Sequence, residues 1–329
     1  MCQCGELHIM SEFPNNTHRT QVVFHSVTAN ESGQRIDNFL MKKLKSVPKS
    51  LVYRILRKGE VRIDKKRAKP NVKIQEGNIV RIPPVTLPDK KQQETAPERL
   101  LKQIEQSIIL EDNDLIFINK PSGLPVHGGS GIRFGLIETF RQLRPNMDYV
   151  ELVHRLDKET SGIVMLAKNR QTLNDLHDLL RGDEHGKSIE KHYQTLVLGH
   201  WNEGTKHVSL NLEKQRGQWQ KMQVNKEGKT SKSIFSLAES YRRESLLNVQ
   251  ILTGRMHQIR TQLAYLNYPI LGDDRYGDFK ANRQYKKLGL KRLFLHSSRI
   301  KFHLASTGQS YSLRAPLPIE LTNILEKLK

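Results

Sequence analysis

The chain is short of cysteine, aromatic residues, acids and long apolar runs, and each shortage removes a class of answers. Cysteine occurs only as Cys2 and Cys4, so no disulfide framework can hold the fold. Both fall with His8 in residues 1–19, which lack packing periodicity and are expected to form a disordered tail. Three potential donors in such a tail are usually incidental, and no metal is expected. Met10 offers a second start. No apolar run approaches the ~18 residues that span a bilayer, and the first residues lack the basic-then-apolar order of a secretory signal. A cytoplasmic protein without membrane contact is therefore expected. Aromatic residues make up 6% of the chain, which argues against a surface given over to stacking single strands.

What is present is cation. Lys and Arg number 54 against 34 Asp and Glu, a net +20, and a polyanion is the default partner for such a surface. Residues 31–84 hold 15 Lys and Arg against 5 Asp and Glu, so +10 of the +20 sits in about a sixth of the sequence. With 36% apolar residues over 329 positions the chain can bury two cores. The expected fold class is α+β. A small basic domain over 20–84 is followed by a linker over 85–107 that turns helical near Leu100 to Ile104, and by a larger domain over 108–329.

The basic region reads as a compact α+β module. Val22 to Phe24 suggests a lead-in strand, and a helix opens at Asp37. A second helix covers 49–58, with Leu51, Val52, Ile55 and Leu56 on one face and Arg54, Arg57 and Lys58 on the other; Gly59 suits its C-terminal cap. Residues 60–64 alternate as a strand, Lys65-Lys66-Arg67 makes a basic turn, and 77–82 return as a second strand. One basic helix is usually just a solvated face. Helix, turn and strand contributing cations together point to RNA.

In the larger region strands at 115–118, 192–198, 246–252 and 293–302 outnumber helices at 170–181 and 255–266. They do not alternate regularly, so a mixed, largely antiparallel sheet is expected rather than a doubly wound one. The stretch His154-Arg155-Leu156-Asp157-Lys158-Glu159-Thr160-Ser161-Gly162 joins a strand at 149–153 to another at 162–167, which puts Asp157 in a short loop between buried elements. An Asp there is more often a turn-former than a catalyst, so its meaning depends on its companions. On the 255–266 helix, Met256, Ile259, Leu263 and Leu266 make a core stripe, while His257 and Arg260 share the neighbouring face. Gly228-Lys229-Thr230 is a decoy for a nucleotide loop, because Gln223 stands where the motif needs its first glycine. His177, His185, His192 and His200 lack a metal-ligand spacing, and the Gly128-Gly129-Ser130-Gly131 loop is either flexible or able to approach phosphate with bare amides.

Four segments carry a resemblance: Asn119-Lys120-Pro121-Ser122-Gly123, the His154-to-Gly162 stretch, Lys191-His192-Tyr193, and Thr253-Gly254-Arg255-Met256-His257-Gln258-Ile259-Arg260. Together they resemble the RluA-type pseudouridine synthase family, and the basic module, through Gln34-Arg35-Ile36-Asp37 and Arg57-Lys58-Gly59-Glu60-Val61-Arg62, resembles the RNA-binding domain named after ribosomal protein S-four. The resemblance implies an rRNA pseudouridine synthase, with Asp157 as the catalytic carboxylate, Arg155 as the side chain that enters the RNA stack, Tyr193 as the active-site aromatic and Arg260 as the ion-pair partner of Asp157. Arg54, Arg57, Lys58, Lys65, Lys66 and Arg67 would grip RNA. One departure is that Thr261-Gln262 follow Arg260 where the family commonly has Val-His. The implied reaction breaks the N1–C1′ bond of uridine and joins C5 to C1′. It is a redox-neutral isomerisation, so no cofactor is expected. The expected substrate is large-subunit (23S) ribosomal RNA or its assembly intermediate, met by a monomer. Two alternatives keep the same residues: an assembly factor that binds rRNA without modifying it, which the full set of Asp157, Tyr193 and Arg260 argues against, and the same chemistry on tRNA, which the basic module makes the lesser reading.

Overall fold

The computed structural model describes residues 17–44, 47–88, 95–129, 133–182, 188–215 and 221–329. The expected metal-free tail with Cys2, Cys4 and His8, the last two residues of the Gly128-to-Gly131 loop, and His185 lie outside the described residues. The chain divides into two compact units, Met1–Thr95 and Ala96–Lys329.

The first unit runs β1 (Thr17–Arg19), β2 (Val23–Ser26), α1 (Ile36–Lys43), α2 (Lys49–Arg57), β3 (Arg62–Ile63), β4 (Lys66–Arg67), β5 (Ile79–Ile82) and β6 (Thr86–Pro88). The tail expected over 1–19 thus ends in a strand, because Thr17 to Arg19 finds an antiparallel partner in β6, itself inside the stretch expected as linker. The other four strands form a sheet in the order β2-β5-β3-β4. Its Val80 and Ile82 face Ile36, Phe39 and Leu40 of α1 and Val52, Ile55 and Leu56 of α2 in one apolar core. The β3–β4 turn is tight, with Asp64 and Lys65 both at positive φ, the conformation a two-residue hairpin requires to match strand twist. Its cost is offset locally: Asp64 accepts from the Ile79 amide and the Asn78 side chain at 2.8 and 2.7 Å.

The second unit runs α3 (Glu98–Gln106), β7 (Ile108–Glu111), β8 (Leu115–Lys120), α4 (Leu136–Leu143), β9 (Glu151–Leu152), β10 (Ser161–Ala167), α5 (Arg170–Arg181), β11 (Glu190–Leu198), β12 (Lys206–Lys214), β13 (Met222–Val224), β14 (Lys229–Ser240), β15 (Glu244–Ile251), α6 (Gln258–Tyr265), α7 (Phe279–Leu288), β16 (Leu295–Leu304), β17 (Gln309–Arg314) and α8 (Ile319–Leu328). Its eleven described strands make one mixed sheet, ordered β13-β12-β14-β15-β11-β16-β10-β8-β7, with β17 added to β16 and β9 to β10. Among the described strands the pairings are antiparallel except β10–β16, so the α+β expectation of a largely antiparallel sheet holds.

The centre of this sheet is covered on both faces. Along β8, Ile116 and Ile118 belong to one apolar cluster and Leu115 and Phe117 to another, and along β10 Val164 and Leu166 separate in the same way from Ile163 and Met165. That period of two is why β10 reads as an unbroken apolar run. The expected strand at 149–153 shrinks to β9, because only Glu151 and Leu152 pair with β10, while Tyr149, Val150 and Val153 flank it buried in the apolar clusters. Gly228, the decoy glycine, stands just before β14 against the backbone of Leu212, where an added Cβ would lie 2.5 Å from a backbone carbon.

Candidate active site

The Asp157 loop enters the sheet where β10 and β16 run close together. Ser161 and Gly162 pair in parallel with His296 and Ser297 of β16. Gly162 has φ +110°, and a Cβ there would sit 2.2 Å from the Ser297 carbonyl oxygen, so only glycine lets β10 start this close to β16. On the far side of β16, Tyr193 of β11 pairs with the same Ser297, immediately after a bulge at His192. Three adjacent strands therefore bring the Asp157 loop and Tyr193 to one rim.

The loop is fastened from beneath by the Asn119-to-Gly123 segment, whose part was not evident from the sequence. Lys120 is fully buried, and its ammonium donates to the carbonyls of Pro121, Leu124 and Lys158 at 2.9, 2.8 and 3.1 Å. Burial pushes its pKa down to about 7. The Gly123 amide and the Ser122 hydroxyl donate to the Lys158 and Glu159 carbonyls. These bonds hold the two residues after Asp157 and leave its side chain free to turn outward.

Asp157 Oδ2 lies 3.3 Å from Arg260 Nη1 and 3.7 Å from His257 Nε2. Its side chain keeps 27% exposure while that of Arg260 keeps 4%. Arg260 is fixed by a partner the sequence did not reveal: its Nε and Nη2 each donate at 2.7 Å to the carboxylate of the fully buried Asp273. A bidentate pair of this kind sets the plane of the guanidinium. Burial alone would raise the Asp273 carboxyl, but the hydrogen bonds and charge of Arg260 hold it below its ordinary value. Burial likewise opposes the charge on Arg260, and Asp273 with Asp157 more than offsets it, so the guanidinium is held more firmly protonated than usual. Tyr276 lies with its ring centre 5.2 Å from Arg260 Cζ.

Helix α6 starts later than the expected 255–266 because His257 adopts a left-handed backbone, φ +51°. Gln258 then fastens the helix to β14: its amide donates to the Lys232 carbonyl and the Ser233 hydroxyl, and its oxygen accepts from the Thr253 hydroxyl and the Arg255 amide. Gln258 to Leu263 are all buried, so the helix is a core rod rather than an amphipathic one. Gln262, at the departure from the family pattern, donates to the Ser231 carbonyl and hydroxyl. The Tyr276 oxygen accepts from the Met222 amide at 2.7 Å and lies 2.9 Å from His257 Nδ1, while His257 Nε2 faces Asp157. Burial lowers the His257 pKa and favours the neutral imidazole.

A cavity of about 230 Å³ opens at this point, lined by Arg155, Asp157, Tyr193, His257 and Arg260 among others. Tyr193 is buried within the apolar cluster under the cavity. Burial raises its hydroxyl pKa against the opposing hydrogen bond with Ser297, so at neutral pH it is a phenol on a flat ring. Arg155 is exposed at the rim. The structure thus brings four of the expected residues, Asp157, Arg155, Tyr193 and Arg260, to one cavity. Arg54, Arg57, Lys58, Lys65, Lys66 and Arg67 are all exposed on the first unit. Asp273, Tyr276 and Lys120 were missed. Only Lys120 had a sequence signal, as the single cation in an otherwise uncharged stretch from Leu115 to Gly123. Among the described residues no group of three or more His, Cys, Asp or Glu side chains is placed to hold a metal.

Comparison with known proteins adds independent findings. Residues 114–265 match the family model described as RNA pseudouridylate synthase, and residues 34–80 match that of the S4 domain. The chain is 45% identical over 308 residues to ribosomal large subunit pseudouridine synthase C of Pasteurella multocida, covering 92% of this chain and 93% of that protein. It is 44% identical over 319 residues to the protein of the same name from Escherichia coli strain K12, covering 95% and 98%. Among solved structures, human RNA pseudouridylate synthase domain containing 4 superposes with a TM-score of 0.58 at 23% identity, covering 70% of this chain and 95% of that one, which is a likeness of fold.

Proposed function

The chain belongs to the RNA pseudouridylate synthase family and is an isomerase, and on that premise we propose that it converts uridines of large-subunit ribosomal RNA to pseudouridine with Asp157 as the reacting carboxylate. The observation that carries this reading is the half-open carboxylate of Asp157, 3.3 Å from an Arg260 that is itself locked to a buried acid. A guanidinium held in a fixed plane within hydrogen-bond reach orients that carboxylate toward the cavity. The Asp157 carboxylate either attacks C1′ or takes a neighbouring sugar proton, and both routes free the base at N1 for rejoining through C5. The C5 proton leaves and N1 gains one, so the sum is an isomerisation.

A uridine reaches such a cavity only by leaving its stack, which costs a few kcal/mol. Tyr193 offers the extruded uracil a ring, and stacking returns about 1–3 kcal/mol per base. Arg155, exposed beside the carboxylate, suits the vacated place in the RNA, because a planar guanidinium both stacks and bonds phosphate. The basic first unit supplies sequence-independent grip through Arg54, Arg57, Lys58, Lys65, Lys66 and Arg67. A ribosomal RNA substrate supports a cytoplasmic site of action.

Asp157→Asn tests the reading on a large-subunit rRNA transcript. The variant should bind as the parent does while pseudouridine formation, mapped by carbodiimide-dependent primer extension, falls by about 10⁴-fold. Formation at the parental rate would overturn the assignment. Parental enzyme that binds rRNA and modifies no uridine would instead fit an assembly factor, and faster turnover of tRNA in a mixed reaction would move the substrate.

A further inference from the structure

The first unit carries cations on a second surface, the open face of its sheet. Strand register places Phe24 of β2 opposite Arg81 of β5, Arg81 opposite Arg62 of β3, and Arg62 opposite Arg67 of β4. Directly opposed residues in antiparallel strands share a face, so one aromatic and three arginines cross all four strands in a single row. The alternate residues Val80, Ile82 and Ile63 face the other way, into the core beneath α1 and α2. The row therefore leaves the sheet on the side away from those helices, except that the Arg67 side chain turns round the β4 edge to the end of α2.

Its composition is not that of an ordinary solvated face. Phe24 is 67% exposed and Ile79, two residues from Arg81 on the same face, is 51% exposed. None of the three arginines is paired with a carboxylate among the described residues. They are steadied instead by backbone: Arg81 donates to the Glu60 carbonyl at 2.7 Å and Arg67 to the Arg57 carbonyl. Guanidinium groups held by carbonyls keep their full charge and spare donors for phosphate, whereas pairing with acids would cancel it. The Arg67 bond also ties the end of the row to the last turn of α2, so this face and the basic helix face meet at the β4 edge.

An aromatic ring beside fixed cations is the arrangement that takes an unpaired nucleotide, with the base on the ring and the backbone on the arginines. We propose that Phe24, Arg62, Arg67 and Arg81 form a binding surface for an unpaired RNA segment, one base stacking on Phe24. This rests on the reading of the basic unit as an RNA-binding domain and adds to it a second contact surface with a preference for single-stranded flank.

Full-length variants titrated with an rRNA transcript over a range of salt concentrations test it. Phe24→Ala should weaken binding about tenfold with the salt slope unchanged, because stacking releases no counterions, and Phe24→Tyr should restore affinity. Arg62→Gln with Arg81→Gln should flatten the slope by about 1.4 to 1.8. Parental affinity for Phe24→Ala, or a parental slope for the arginine pair, overturns the proposal. An Arg54→Glu, Arg57→Glu, Lys58→Glu variant run in parallel separates the two readings. If it alone loses affinity, the basic helix binds RNA and the sheet face does not; if neither set loses affinity, the basic unit as a whole is not the RNA grip.

Discussion

Arginine serves two opposite ends in the two units. In the first, Arg54 and Arg57 stand in water, where each charge is screened and replaceable. In the second, Arg260 is buried to 4% exposure and holds two hydrogen bonds to Asp273 that fix its plane before any substrate arrives. On the proposed reading, exposed arginines contribute affinity in proportion to their number. The buried one contributes a geometry, and its loss leaves a carboxylate stranded in the core.

The comparison is broken most severely from the buried side. Arg260→Ala leaves Asp273 uncompensated and should cost about 3–5 kcal/mol in denaturant unfolding, together with nearly all turnover. Arg260→Lys, keeping the charge but losing the fork, should retain more stability than Ala and still lose at least about 100-fold in kcat. Equal kcat for Lys and Arg would show that charge alone suffices. Acid gives a second handle. Because the Asp273 pKa is depressed in the folded protein, its share of stability is present above the unfolded value near 3.8 and is lost as pH falls through the lower folded value. His296 adds to the same limb: burial lowers it to about 4 from 6.5, so its contribution fades as pH drops from 6.5 to 4. An Asp273→Asn variant should show a flatter melting-temperature profile below pH 4 than the parent.

A smaller effect is expected at Tyr193, which separates ring from hydroxyl. Tyr193→Ala should lose at least about tenfold more kcat/KM than Tyr193→Phe, since the ring carries the stacking contribution; indistinguishable variants would remove the platform role. Smallest is the charge reversal of Arg54, Arg57 and Lys58, expected to weaken rRNA binding and flatten its salt slope by about two to three while the melting temperature stays within a degree or so. A large drop in melting temperature would mean that these cations hold structure as Arg260 does, and the contrast between the units would dissolve.

The sequence made one side of this contrast legible and hid part of the other. The basic helix could be read directly because Val52, Ile55 and Leu56 repeat with the helical period and leave Arg54, Arg57 and Lys58 opposite. Asp157 was legible because it interrupts apolar strands. Asp273 was not, because in Ile270-Leu271-Gly272-Asp273-Asp274 nothing local says which acid turns inward; the choice is made by Arg260, thirteen residues earlier in a helix packed against it. The start of α6 was misplaced for a related reason. The apolar pattern runs through Met256, but His257 leaves helical geometry to meet Tyr276. Helices α4, α7 and α8 were passed over as well, although Asp278 caps α7 by accepting from the Ala281 amide and Gly289 ends it at φ +111°. The open sheet face escaped because its arginines lie on three separate strands and become neighbours only through register.

Gly162 gives the site an unusual vulnerability. It has no polar side chain and is not part of the lining of the Asp157 cavity, yet every replacement at its codon drives a carbon into the Ser297 carbonyl and asks for a backbone angle that other residues resist. In a saturation scan scored by loss of modification, this position should tolerate nothing, alanine included, and should look as intolerant as Asp157 itself. A tolerance map of the enzyme would therefore contain two kinds of silent column, one marking where bonds are made and the other where two strands leave no room.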